Sequence, residues 1–155
     1  MMKPLVFVIG LGIAGAAAAN PVVTETINTY PVSAQTLSGL HQEMRRAGPQ
    51  GYWGYTRWSV NWSGTCQVRA HVDITLPEHA NPAALPAHVR RKFDAMLAAL
   101  TAHERQHGRH GILAAQEIAR SKCRDPHAII RKYNAIDLEF DRSTRHGGTE
   151  GVTLN

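Results

Sequence analysis

The chain has 155 residues and a formal net charge of +5, with 43% apolar and 19% charged residues. Those fractions are ordinary for a globular protein, and no repeat or low-complexity tract interrupts them. The basic residues are scattered, Arg45-Arg46 and Arg90-Arg91-Lys92 being the short clusters. Without a basic arm or an aromatic-interleaved stripe, no nucleic-acid partner is expected.

The N-terminus reads as an export signal over residues 1–19. Met1-Met2-Lys3 is a short positive start, Leu5 to Gly15 an apolar run, and Ala16 to Ala19 offers small residues for cleavage. A spanning helix needs about 20 consecutive apolar residues, so no stable membrane insertion is expected after cleavage. Gly10, Gly12 and Gly15 match a dinucleotide-binding spacing, but Pro21 to Pro31 supplies no phosphate-binding helix after them. Cleavage after Ala19 leaves residues 20–155, enough for one domain, secreted into a periplasmic or extracellular space. Lys3 departs with the signal, lowering the charge to +4. In such an oxidising space the two cysteines, Cys66 and Cys123, are expected to form a disulfide.

In the mature chain Val22 to Tyr30 alternates and predicts a strand stopped by Pro31. Ser33 is placed to cap a helix over Ala34 to Ala47, with Leu37, Leu40 and Met44 on one face, stopped by Gly48-Pro49. Gly51-Tyr52-Trp53-Gly54 is a turn. Thr56, Trp58, Val60 and Trp62 share one parity, as do Cys66, Val68, Ala70, Val72, Ile74 and Leu76, which predicts a hairpin across Ser63-Gly64-Thr65 with the tryptophans in the sheet core. Pro77 is expected to end the second strand. From Ala87 the period becomes helical, and Val89, Phe93, Met96 or Leu97, and Leu100 lead on to His103 and His107. Gly108 and Gly111 are expected to bend or restart that helix. Asp125-Pro126 starts another, with Ile129, Ile130, Tyr133, Ile136 and Phe140 as its buried face. The fold class is α+β, a small antiparallel sheet packed on helices, with the HExxH pattern on a long central helix.

His103-Glu104-Arg105-Gln106-His107 carries the chemistry. Histidines at i and i+4 bring two imidazoles to one helix face a turn apart, which suits two ligands of a tetrahedral Zn2+. Zinc lowers the pKa of a bound water towards neutrality, and Glu104 beside it is placed to act as catalytic general base and then to protonate a leaving amine. A buried face is a costly place for these three side chains unless something compensates them. His110 lies on a similar face at i+7, but three residues strung along one straight helix do not wrap round one ion, and position 113 is Leu, so the elongated metzincin pattern fails. Asp141 and His146, from the last helix and the loop after it, are the better sources of a third ligand.

Tyr55-Thr56-Arg57-Trp58, the Trp62 and Cys66 region, Leu76-Pro77, the HExxH stretch and Asp141-Arg142-Ser143-Thr144-Arg145-His146-Gly147 together resemble a bacterial family of predicted secreted zinc-dependent proteases, otherwise classed as a domain of unknown function. The resemblance covers nearly all of the mature chain. It implies a zincin-like zinc metallopeptidase domain, a metallohydrolase whose partner is a peptide or protein substrate held along a sheet edge. His146 is taken as third metal ligand and Asp141 as a carboxylate orienting one histidine, with the exchanged roles, Asp141 as ligand, left open. Phe140 has no hydroxyl, so Tyr133, Arg145 or His110 would serve a developing oxyanion. Two alternatives to an endopeptidase stand beside it: a cell-wall amidase using the same chemistry, and a zinc-stabilised, non-catalytic envelope binding module.

Overall fold

The computed structural model describes residues 20–155, and the predicted signal segment, 1–19, lies outside the described residues. Strands β1 (Val22–Val32), β2 (Tyr55–Trp62) and β3 (Val68–His79) form one sheet in the order β1-β3-β2. β2 and β3 are the predicted antiparallel hairpin, with Tyr55 opposite Thr75 and Trp62 opposite Val68. β1 runs parallel to β3, from Val22 opposite Arg69 to Val32 opposite His79. The sheet is therefore mixed, which corrects the antiparallel expectation. Alternation tells which face a residue takes; it does not tell which neighbour a strand pairs with, or in which direction.

Neither strand proline ends its strand. β1 runs through Pro31 on the sheet edge, and β3 runs through Pro77 beyond Thr75, where β2 has ended and β1 is its remaining neighbour. A missing N–H is tolerated where one side of the strand is open. The inner face of β3 is buried at Val68, Ala70, Val72, Ile74 and Leu76, while Arg69, His71 and Asp73 face outward. β1 is exposed on both faces from Val22 to Thr29, so its alternation does not report burial.

Helix α1 (Leu37–Ala47) buries Leu40 and Met44, as its spacing implies. Its cap is Thr36, whose hydroxyl accepts from the Gly39 N–H at 3.1 Å, and not Ser33. Ser33 is engaged otherwise: its N–H donates to the Glu43 carboxylate at 2.6 Å, and the Ala34 N–H joins it at 3.0 Å.

Helix α2 (Ala87–Arg120) is 34 residues long and unbroken, against the expectation of a bend at its glycines. A Cβ on Gly108 would lie 2.7 Å from Val72 Cγ1, and one on Gly111 would lie 2.6 Å from Trp58 Cβ and Cγ. These glycines let the helix approach the sheet, where helix packing outweighs their poor propensity. Gly111→Ala is accordingly expected to destabilise the fold by about 1–3 kcal/mol despite alanine's better propensity, because Trp58 Cβ is fixed to its strand. A urea midpoint at or above that of the parent would refute the packing role.

Helix α3 (Pro126–Thr144) starts as predicted, with Asp125 accepting from the Ala128 N–H at 3.3 Å. Ile129 and Tyr133 are buried, but Ile136 is exposed. In the C-terminal half of α3 only Phe140 of the predicted stripe faces α2, between the two acids described below. Cys66 and Cys123 form a disulfide that joins the hairpin turn to the segment after α2.

Two apolar clusters flank the middle of α2. One gathers Val89, Phe93, Met96 and Leu100 with Val72, Ile74 and α1. The other gathers Ala114, Ala115 and Ile118 with Val68, Ile129 and Tyr133. Residues 103–110 occupy the stretch of α2 between them, where the buried side chains are polar.

Candidate metal centre

His103 and Glu104 are about 5% exposed and His107 is 9% exposed. Both histidines lie on the face of α2 that continues the apolar stripe. On α3, Asp137, Phe140 and Asp141 share the face turned towards them, being spaced three and four apart. His103 Nε2 lies 3.2 Å and His107 Nε2 3.1 Å from one oxygen, Asp141 Oδ1. The ligand atoms of His103, His107 and Asp141 all fall within 4.8 Å of one another. His146 stands one step out: its Nδ1 is 3.4 Å from the same Asp141 oxygen, and its side chain is more than half exposed. Its ring packs near Tyr52, with centroids 5.4 Å apart.

The opposite ring nitrogens are held as well. His103 Nδ1 is 2.8 Å from Glu150 Oε2, and His107 Nδ1 is 3.0 Å from Asp137 Oδ1. A carboxylate accepts only and both nitrogens of each ring face one, so a neutral ring donates to one carboxylate at a time; donation from Nδ1 to Glu150 or Asp137 leaves Nε2 with a lone pair. Two lone pairs and a carboxylate oxygen then meet at one point. Such a convergence is repulsive unless extra protons or a cation sit among the donors, and two imidazoles with a carboxylate form a donor set that a divalent metal fits. The same electrostatics shows in the titration of His107. Burial presses its pKa down, but the Asp137 hydrogen bond and the charges of Asp137 and Asp141 outweigh burial and leave it above the ordinary histidine value. For Asp137 burial pushes upward, yet bonds from His107, His110 and Trp58 hold it below the usual carboxylate range.

Asp137 is the hub of this outer layer. Its Oδ1 also receives His110 Nδ1 at 2.5 Å, and its Oδ2 accepts from the Trp58 indole N–H at 2.5 Å. Trp58, expected as sheet core alone, thus ties β2 to α3. The Gln106 amide donates to His110 Nε2 at 3.0 Å, so both nitrogens of His110 are engaged. Phe140 forms an apolar wall, stacked on His103 at 4.8 Å and edge-on to His107 at 5.1 Å.

Glu104 faces a cavity of about 650 Å³ between α2, α3 and the turn before β2. Its Oε2 accepts from the Thr56 hydroxyl at 2.7 Å, and the same hydroxyl lies 2.9 Å from the Glu104 carbonyl oxygen. A Cβ on Gly54 would come within 2.9 Å of Glu104 Oε1, so the turn closes tightly over the carboxylate. Burial dominates its titration and raises its pKa above the ordinary carboxylate value, against the Thr56 hydrogen bond and the nearby histidines. The expected oxyanion donors are placed elsewhere. Tyr133 donates to Glu117 at 3.0 Å, His110 is engaged as above, and Arg145 is exposed at the C-cap of α3. None of the three lines the cavity; Tyr52, Tyr55, Asn134 and His146 do.

Sequence reasoning passed over Asp137, Glu150 and Thr56. Asp137 was within reach of it, standing one helical turn before Asp141 on the same face. Glu150 lies on a single 3-10 turn, Gly148–Glu150, with no periodicity to mark it. Among the described residues, no helix is long and apolar enough to cross a membrane.

Comparison with curated proteins and with solved structures finds no match to the chain. A family model described as "Bacterial protein of unknown function (DUF922)" matches residues 27–147, a span that begins inside β1, takes in all of α2 and α3, and ends on the glycine after His146. With residues 27–147 of its 155 matched, the chain belongs to this bacterial family of unknown function.

Proposed function

We propose that this protein is a secreted zinc-dependent metallohydrolase, acting as an endopeptidase on peptides or proteins. The observation that carries the reading is the meeting of His103 Nε2, His107 Nε2 and Asp141 Oδ1, with both histidine Nδ1 atoms held by carboxylates. Buried histidines oriented in this way are the usual support of a metal site. Asp141 is preferred to His146 as third donor because its oxygen is the atom on which both rings converge. The disulfide supports export, since such bonds persist in oxidising compartments.

His103, His107 and Asp141 would hold a zinc ion there, which would supply Lewis-acid chemistry, polarising a carbonyl oxygen and lowering a water's pKa towards neutrality. Glu104 is the general base. Its carboxylate is buried and held by Thr56, and a raised pKa brings it closer to working pH. It accepts a proton from the attacking water and delivers it to the departing amine. His146 and the cavity's Tyr52, Tyr55 and Asn134 are the donors available to the carbonyl oxygen as charge develops. A closed, non-catalytic zinc site would take a fourth protein ligand, for which His146, with Nδ1 3.4 Å from Asp141 Oδ1, or His110, whose ligand atom clusters with those of His107 and Asp137, is at hand; tolerance of Glu104→Gln in its function would favour that reading.

The test is metal content by mass spectrometry of protein purified without chelator, beside His107→Ala. About one zinc per chain is expected in the parent and little in the variant. No metal in the parent, even after zinc is offered, would sink the hydrolase reading. Metal bound equally by both proteins would move the site elsewhere.

A further inference from the structure

We infer that the segment after α3 is a positioning element of the metal centre, with Glu150 orienting His103 through its Nδ1. The inference rests on the metallohydrolase reading above but concerns residues that the family match, ending at 147, does not include.

The path of the chain is built to make this contact. After Thr144, three consecutive residues adopt left-handed backbone, Arg145 and His146 at φ 52° and Gly147 at φ 80°. The turn is held by the His146 N–H donating to the Asp141 carbonyl at 2.9 Å and the Gly147 N–H to the Thr144 hydroxyl at 3.3 Å. Two further bonds return to the Gly147 carbonyl, from the Glu150 N–H at 2.9 Å and the Val152 N–H at 3.1 Å. A Cβ on Gly147 would stand 2.5 Å from Val152 Cγ2 and 3.3 Å from His103 Cγ, so only glycine lets the segment lie against the His103 ring. Leu154 is then buried in the larger core cluster, and Lys92 Nζ donates to the Asn155 carbonyl. Apolar anchorage at one end and the left-handed turn at the other leave Glu150 Oε2 at 2.8 Å from His103 Nδ1.

The two histidines are therefore treated alike by different parts of the chain. His107 is oriented by Asp137, one turn from Asp141 on α3, whereas His103 depends on the tail. The Glu150 carboxylate selects the tautomer that keeps the His103 Nε2 lone pair, fixes the ring's rotation and raises its basicity as a ligand. Without it the ring keeps its stacking on Phe140 but loses the partner that fixes its Nδ1 proton, so the Nε2 lone pair is offered to a metal only part of the time.

The experiment is zinc affinity by competition with a chromophoric chelator for the full chain, Glu150→Ala, Glu150→Gln and Thr149→Ala, with folding checked by circular dichroism. Glu150→Ala is expected to weaken zinc binding by about 10–100-fold. Glu150→Gln keeps an acceptor oxygen without the charge and is expected to recover part of the loss. Thr149→Ala removes only the Thr149 hydroxyl's bond to the Thr144 carbonyl at 3.2 Å, leaves the other bonds of the turn and the Glu150 carboxylate in place, and is expected to bind as the parent does. Cobalt substituted for zinc gives a second readout, since the visible absorption of Glu150→Ala is expected to shift as a ligand reorients. Should Glu150→Ala not fold, Glu150→Gln carries the test alone, with an intermediate affinity expected. Parental affinity and spectrum in a folded Glu150 variant would overturn the inference and leave the hydrolase reading standing. Equal losses in Thr149→Ala and both Glu150 variants would also overturn it, by reducing the tail to a structural staple. A parent that takes up no metal would remove both readings together.

Discussion

Glu104→Gln is expected to retain zinc while losing about 10²–10⁴-fold in peptide hydrolysis, the usual contribution of a positioned general base. The amide keeps the shape of the carboxylate and an oxygen for the Thr56 hydroxyl, which now donates to Glu104 Oε2 at 2.7 Å. What disappears is the capacity to take a proton. The sign of the pKa shift adds a second expectation. Burial raises the Glu104 pKa, so folding binds its proton more tightly, and the folding free energy loses stability as pH rises through the folded value. A neutral glutamine removes that penalty, so the metal-free variant should melt no lower than the metal-free parent near neutral pH. Zinc stoichiometry, peptide turnover and thermal melts on the same samples separate the possibilities. Undiminished turnover would remove Glu104 from the chemistry, and lost zinc would mean that it serves the site structurally.

Removing the disulfide is the second large effect. Cys66 and Cys123 are 57 residues apart, and closing a loop of that length restricts the unfolded chain by about 4 kcal/mol on loop-entropy arithmetic. The loop holds all of β3 and α2, so the bond joins the hairpin turn to the end of the helix that bears His103 and His107. The double variant Cys66→Ser, Cys123→Ser should lose about that much unfolding free energy, read as a lower urea midpoint, with little change in zinc affinity, because neither sulfur reaches the site. An unchanged midpoint would mean that the sheet and α2 hold each other without it. A zinc affinity that falls as far as stability does would mean that the hairpin end of the fold controls the centre.

The legible part of the site is the part that lies on one element. His103, Glu104 and His107 sit where the α2 stripe leads, because helical spacing alone decides which residues share a face. The face of Asp141 was legible for the same reason, and Asp137 could have been read from its spacing to Asp141. The placement of Asp141 and His146 relative to the two histidines was not, since it depends on how far α3 lies from α2 and where the chain turns after Thr144. Gly108 and Gly111 misled for a related reason. Their propensity belongs to the helix, whereas their use belongs to the contact with Val72 and Trp58.

Local matters were legible from the chain alone: strand parity in the hairpin, the buried stripe of α2 with its two histidines, the Asp125-Pro126 start of α3 and the pair of cysteines. Each follows from the period of one element or from the chemistry of one residue type. That β1 joins β3 in parallel, that α2 runs unbroken, and that Asp137, Trp58 and Glu150 gather around the histidines emerged from the packed fold. Those are contacts between segments far apart in the chain, set by the packing of whole faces against one another, and no periodicity within one segment encodes its partner.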